Sequence, residues 1–263
     1  MPAQPEIELR PPPPNAFLRE SRVLLDIARM AVPLLLPARA VTPMRRRQII
    51  VLPGFGADDR ATWPLRHYLS KFGHRVEGWG LGRNRAGIEI AHRLEDVSAG
   101  WKLTHQIDYN GEASVVMLCD RMTAHVRERH RALGKPITLI GWSLGGYVAR
   151  EVARDLPGIV ERVITLGSPV QGGPKYTATA GFFRKRGMDL DWIEREVAKR
   201  EVRPIQAPIT AIVSPSDGIV GISAAIDHNS PNVRHLHVDA AHLGLCFNPT
   251  AWALIVKALA RQD

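Results

Sequence analysis

In this chain of 263 residues, one stretch limits the fold more than any other. Pro136-Ile137-Thr138-Leu139-Ile140 is a short, apolar, β-branched run, and it predicts a buried strand. Gly141-Trp142-Ser143-Leu144-Gly145-Gly146 follows at once and fits G-x-S-x-G. From Tyr147 to Asp155, Val148, Ala149, Val152 and Ala153 recur at helical spacing, and Pro157 ends the pattern. A serine is therefore expected on a sharp strand-to-helix turn. Such a turn strains the backbone at Ser143, while Gly141 and Gly145 let strand and helix approach. It also lifts the hydroxyl clear of the sheet and aims the first helical amides at the space above it. A glycine-rich turn with an incidental serine fits the same pattern, so other parts of the chain must discriminate.

The surroundings alternate strand and helix, which predicts a mostly parallel sheet flanked by helices. Gln48-Ile49-Ile50-Val51-Leu52 is a strong strand running into the glycine-rich loop Pro53-Gly54-Phe55-Gly56. Residues 63–72 read as a helix, 73–79 as a strand and 113–133 as a long helix ending at Gly134. Cys119 falls on the apolar stripe of that long helix and is expected in the core. Between them, 80–111 reads as loop with one short helix near 88–94, and Gly80-Leu81-Gly82 as a candidate rim of a pocket. Beyond the serine, strands are predicted at 160–166, 209–213 and 233–238, with a closing helix at 251–260. One domain of about eight alternating units, from residue 41 to 263, accounts for this part of the chain.

Two segments depart from the alternation. Six prolines stand among residues 1–14, which predicts an extended arm. Residues 16–32 then read as an amphipathic helix, with Phe17, Leu18, Leu24, Leu25, Ala28 and Val32 on the apolar face. That face is expected to pack on the domain; peripheral contact with a lipid surface is the other use for it. The second segment, about 174–200, carries Phe182, Phe183, Met188 and Trp192 beside Arg184-Lys185-Arg186. It is expected as a small helical cap over Ser143, in which Phe183 and Trp192, with Trp142 from the turn, would touch substrate. A helix pair that merely completes the core is the competing reading.

A serine hydroxyl is a weak nucleophile unless a histidine takes its proton and an acid orients that histidine. Asp217 lies in Ser214-Pro215-Ser216-Asp217-Gly218, directly after a predicted strand, although aspartates in such places often only shape a turn. Among ten histidines, His242 stands just past the last strand, in Ala240-Ala241-His242-Leu243-Gly244. His235 and His237 lie within that strand and read as structural. Asp239, three residues before His242, is poorly placed to face its ring. Ser143, Asp217 and His242 thus follow one another in sequence, each at the carboxyl end of a strand.

These residues resemble the α/β-hydrolase superfamily, over roughly residues 46–261. The resemblance rests on Gly141 to Gly146, Ser214 to Val220 and His242-Leu243-Gly244. Gly167-Ser168-Pro169-Val170-Gln171-Gly172 is similar to the segment after the next strand in bacterial lipases. Pro53-Gly54 stands where many members have His-Gly, and Trp142 where many lipases have histidine. The resemblance implies Ser143 as nucleophile, His242 as base and then acid, and Asp217 as its orienter. It further implies the amides of Phe55 and Leu144 as the oxyanion hole, with no cofactor and no metal. The expected activity is cleavage of small-molecule carboxylic esters, of esterase or lipase type. An acyltransferase using the same triad, or a catalytically idle binding protein of this fold, are the alternatives.

The formal net charge of +9 favours anionic partners, but the arginines are scattered and no aromatic-interleaved basic stripe suggests nucleic acid. Cys119 and Cys246 are far apart and form no C-x-x-C. The first residues lack a basic n-region followed by an apolar run, so a cytoplasmic location is expected.

Overall fold

The computed structural model of the chain describes residues 8–37, 45–85 and 114–261. The short helix expected near 88–94 and the prolines at 2 and 5 lie outside them. Among the described residues six strands form one all-parallel sheet. They are β1 (Gln48–Leu52), β2 (Arg75–Gly78), β3 (Ile137–Trp142), β4 (Val160–Leu166), β5 (Ile209–Val213) and β6 (Val233–His237), in the order β2-β1-β3-β4-β5-β6. The chain runs outward from β1 to β2 and then returns to place β3 on β1's other side. The order of connection reverses between β1 and β3, and a crevice opens at the carboxyl ends of strands flanking such a point.

Helices cover both faces because alternate strand residues point to opposite sides. Ile50, Leu52, Leu139 and Val163 pack with α3 (Val115–Leu133) and α4 (Leu144–Asp155). Ile49, Val51, Ile140 and Ile164 pack with α2 (Asp59–Ser70) and with α8 (Pro249–Ala260), the helix after the one-turn α7 (Ile222–Ala225). Local chemistry sets the helix ends. The side chains of Asp58, Ser114 and Asn248 accept from first-turn amides of α2, α3 and α8. Gly134, at φ 60°, closes α3 in the left-handed region. Cys119 is buried in the core, where desolvation pushes its thiol up.

Helix α4 is buried on all sides, charges included. Arg150 Nη1 lies 2.6 Å from Asp227 Oδ2, and Glu151 bonds both Arg154 and Arg200. Burial alone would raise the Asp227 carboxyl. The charge and hydrogen bond of Arg150 outweigh it and hold the group at about 2.

The N-terminal segment departs from the expected geometry. It is a 3-10 helix, Pro14–Arg22, continued by α1 (Val23–Leu35). It does pack on the domain, but not by the predicted apolar face. Phe17, Leu18, Leu24, Leu25 and Val32 are exposed, whereas Ala16, Glu20 and Asp26 are buried. Met30 and Leu34 join the core beside α2 and α8. Lys71 caps the end of α1, its ammonium donating to the carbonyls of Pro33, Leu34 and Leu36. The 3-10 first half does not keep the 3.6-residue period, and in α1, which does keep it, Leu24, Leu25 and Val32 still face outward, because the loops beneath the arm present backbone N–H groups that Glu20 meets. No helix among the described residues is long and apolar enough to cross a membrane.

Candidate active site

The turn after β3 has the strain its sequence predicts. Ser143 sits at φ 54°, ψ −125°, the one non-glycine residue at positive φ among the described residues. Such a conformation costs on the order of 1–3 kcal/mol and persists where its surroundings fix it. Here the Ser143 N–H donates to the Leu166 carbonyl at 2.8 Å, and the Ser143 carbonyl accepts from Gly146 at 2.9 Å. A Cβ on Gly145 would come within 2.5 Å of the Leu52 and Pro53 carbonyls, so only glycine lets α4 begin this close to β1.

The loops after β5 and β6 bring an acid and an imidazole to the same edge. Asp217 Oδ1 accepts from the amides of Ile219 (2.8 Å) and Val220 (2.7 Å), which fixes the carboxyl plane. Its Oδ2 lies 2.7 Å from His242 Nδ1, and His242 Nε2 lies 2.8 Å from Ser143 Oγ. Both side chains are buried. An ionised carboxylate can only accept, so Nδ1 carries the proton and Nε2 presents its lone pair to the hydroxyl. The ring is held from behind as well, because Trp142 Nε1 donates to the His242 carbonyl at 3.1 Å. Gly167, at φ 55°, completes the packing. A Cβ there would meet Asp217 Oδ2 at 2.9 Å and His242 Nδ1 at 3.2 Å. In the sequence Gly167 stands only within a resembling segment, with no signal of this packing role.

Asp239 is engaged elsewhere. It accepts two bonds from Arg22, at 3.1 and 3.0 Å, and one from Ser216 Oγ at 2.6 Å. These bonds hold its carboxyl at about 2. His235 Nε2 accepts from the Asp227 amide, the structural part expected of it.

A cavity of about 460 Å³ opens onto Ser143. Phe55, Trp142, Leu144, Phe183, Trp192 and His242, all named from the sequence, line it. Among the described residues the lining includes no lysine or arginine. Its one acid, Asp189, accepts from the amides of Asp191 and Trp192 at the start of α6 (Leu190–Glu201). Neither the Leu144 N–H nor the Phe55 N–H donates to a protein acceptor among the described residues. The Phe55 loop is held by Asn84, a buried residue that the sequence reading missed. Its carbonyl accepts from Gly56 (2.6 Å), its amide donates to Ala57 (2.8 Å), and its side chain donates to the Pro53 carbonyl (2.9 Å).

The segment expected as a cap folds as a 3-10 turn (Gly173–Tyr176), α5 (Ala180–Lys185) and α6. It has a small apolar cluster of its own, where Phe183 meets Phe55 edge-on with ring centres 5.6 Å apart. It also walls the cavity with Phe183, Met188, Trp192 and Ile193. Gly80-Leu81-Gly82 does not reach the cavity. Gly80 and Trp79 instead donate their amides to the Asp59 carboxylate.

No family model matches the chain. Solved structures do. A monoacylglycerol lipase of Paleococcus ferrophilus is 14% identical, over 82% of this chain and 96% of that one, with a TM-score of 0.53. A metagenome-derived lipolytic enzyme is 13% identical, over 82% and 93%, with a TM-score of 0.55. A bacterial membrane phospholipase A is 12% identical, over 94% of each chain, also with a TM-score of 0.55. At these identities the likeness is one of fold, and the fold is that of the α/β-hydrolases.

Proposed function

From an α/β-hydrolase fold, we propose that this chain is a serine hydrolase of apolar carboxylic esters, with Ser143 as nucleophile, His242 as general base and acid, and Asp217 as orienter. The observation that supports it most is the unbroken chain Asp217 Oδ2–His242 Nδ1, His242 Nε2–Ser143 Oγ, opening onto an apolar cavity. In the proposed reaction Ser143 Oγ bonds to the ester carbonyl carbon as its proton passes to His242 Nε2. The carbonyl oxygen becomes an oxyanion, and the amides of Leu144 and Phe55 donate to it. The bond to the alkoxy oxygen then breaks, and His242 returns the proton to the leaving alcohol. Water, deprotonated by the same Nε2, attacks the acyl-Ser143 ester; the bond to Ser143 Oγ breaks, His242 returns the proton to that oxygen, and the acid leaves. The lining without cations suits uncharged acyl and alcohol groups.

The proposed partner beyond the ester is a lipid surface. Within residues 14–35 the only acids, Glu20 and Asp26, are buried against the domain. The outer face of the arm therefore combines exposed Phe17, Leu18, Leu24, Leu25 and Leu35 with Arg19 and Arg29, a composition that suits an anionic bilayer.

Ser143→Ala is expected to lower p-nitrophenyl ester hydrolysis by roughly 10⁴-fold or more, with melting temperature retained. It should also abolish labelling by a fluorophosphonate. Near-wild-type turnover by the purified variant would remove the assignment.

A further inference from the structure

Glu20 is the least expected buried group in the molecule. It is 4% exposed, it lies in a 3-10 helix near the start of the chain, and among the described residues no basic side chain pairs with it. Its carboxylate is instead satisfied by three backbone amides from two distant loops. Oε1 accepts from Gly218 at 2.8 Å and from His242 at 2.9 Å, and Oε2 accepts from Leu243 at 2.8 Å. Gly218 directly follows Asp217, and the other two amides belong to His242 and its neighbour. One carboxylate thus ties the loop of the acid to the loop of the imidazole. Both loops fit closely against the arm. A Cβ on Gly218 would lie 2.4 Å from the Ala16 carbonyl, and one on Gly244 would lie 2.1 Å from Asp26 Oδ2. Asp26 in turn accepts from Asn248 Nδ2 at 2.8 Å, at the cap of α8.

We propose that Glu20 is a positioning residue: from the N-terminal arm it clamps the Asp217 loop to the His242 loop and so sets the alignment of His242 between Asp217 and Ser143. The physical reason is that β5 and β6, with Ser214 Oγ bonded to Ala240 and Ser216 Oγ to Asp239, join these loops only before Asp217 and His242 are reached. The 2.7 Å and 2.8 Å contacts of the imidazole require their tips to hold a fixed separation, and a charged acceptor shared by three N–H groups supplies it. Loss of the carboxylate would leave three buried donors unpaired, and the tips would move to find other acceptors.

The chemistry in this inference rests on the ester-hydrolase reading, so the test reads geometry separately from turnover. The full-length chain and its Glu20→Ala and Glu20→Gln variants would be compared, with Ser21→Ala as control. Ser21 is exposed on the same arm, and its hydroxyl donates to the Leu18 carbonyl. Turnover of p-nitrophenyl butyrate is measured per active site, counted by fluorophosphonate titration. The Nδ1 proton of His242 is followed as a far-downfield proton NMR resonance, assigned by its absence in His242→Ala.

The expected result for Glu20→Ala is a kcat about 10- to 100-fold lower with KM within about twofold, together with a broadened or shifted resonance. Glu20→Gln keeps one acceptor oxygen but must set a donor against one of the three amides. It is expected to fall between Glu20→Ala and wild type in both measurements, and it carries the test if Glu20→Ala is not recovered folded. Ser21→Ala should match wild type. A lower melting temperature in the Glu20 variants with unchanged kcat per site and a sharp, unshifted resonance would make Glu20 a structural anchor only and overturn the proposal. If the wild type hydrolyses no ester, the functional reading fails while the resonance still decides whether the clamp exists.

Discussion

The N-terminal arm and the cap segment flank the same few loops with opposite chemistry. The cap turns Phe183 and Trp192 toward the cavity before Ser143 and leaves Phe182, Arg184, Lys185 and Arg186 outside. The arm turns its carboxylates inward and its leucines outward: Glu20 is buried, whereas Leu24 is 72% and Leu35 84% exposed. Each inner face suits what it meets. An apolar cavity gains by contact with apolar substrate and is wetted without it. The tips of two loops present unpaired N–H groups, and for these a carboxylate is the better partner. Which residues face inward is set by the surface being covered, and the helix's own pattern follows that surface or departs from it.

Three perturbations separate the two flanks. The largest falls on the group that the arm holds through its loop. Asp217→Asn is expected to lower kcat by roughly 10³- to 10⁴-fold, since an amide no longer enforces the Nδ1–H tautomer. Asp239→Asn, which weakens exposed bonds to Arg22 and Ser216 and touches neither Asp217 nor His242, should change activity by less than about threefold. Parallel kinetics on the two variants measure this, and the reverse order would transfer the orienting role to Asp239 and leave the arm's contact at the centre of the chemistry.

The cap should behave differently. Trp192→Ala and Phe183→Ala are expected to leave turnover of short esters largely intact while shifting the ratio of long- to short-chain kcat/KM by about tenfold or more, as loss of 1–3 kcal/mol of pocket contact would. A series of p-nitrophenyl esters provides the ratio. Lower thermal stability with an unchanged ratio in both variants would mean that the cap only completes the core.

The smallest effect concerns the arm's outer face. Leu24→Asp combined with Leu25→Asp is expected to weaken co-flotation with vesicles containing anionic lipid several-fold, while hydrolysis of a soluble ester stays the same. Unaltered flotation, or no flotation of the wild type with anionic vesicles, would rule out the lipid partner.

Much of this was legible along the chain, for a shared reason. The strand before Ser143, the turn and the helix after it are near neighbours in sequence, and their steric demands are written in Gly141, Gly145 and the β-branched run. Strand ends are local too, which is why Asp217 and His242 could be placed at one edge of the sheet without coordinates. The density of large apolar residues likewise put Phe183 and Trp192 in a segment that had to pack on something. Helical periodicity placed Phe17, Leu24 and Val32 on the inner side of the arm, and there it misled. Periodicity finds an apolar face but not which face the domain covers, and the loops beneath Glu20 present polar backbone.

What only the tertiary structure decided lies in pairings across long sequence separations. Glu20 reaching Gly218, His242 and Leu243, Gly167 packing under the Asp217–His242 bond, Asn84 pinning the Phe55 loop, and Arg150 meeting Asp227 beneath α4 are of this kind. None has a local signature. A buried carboxylate and a solvated one are the same letter in a sequence. Burial is stable only where the rest of the fold supplies the donors, and those donors are backbone amides, which every residue but proline carries.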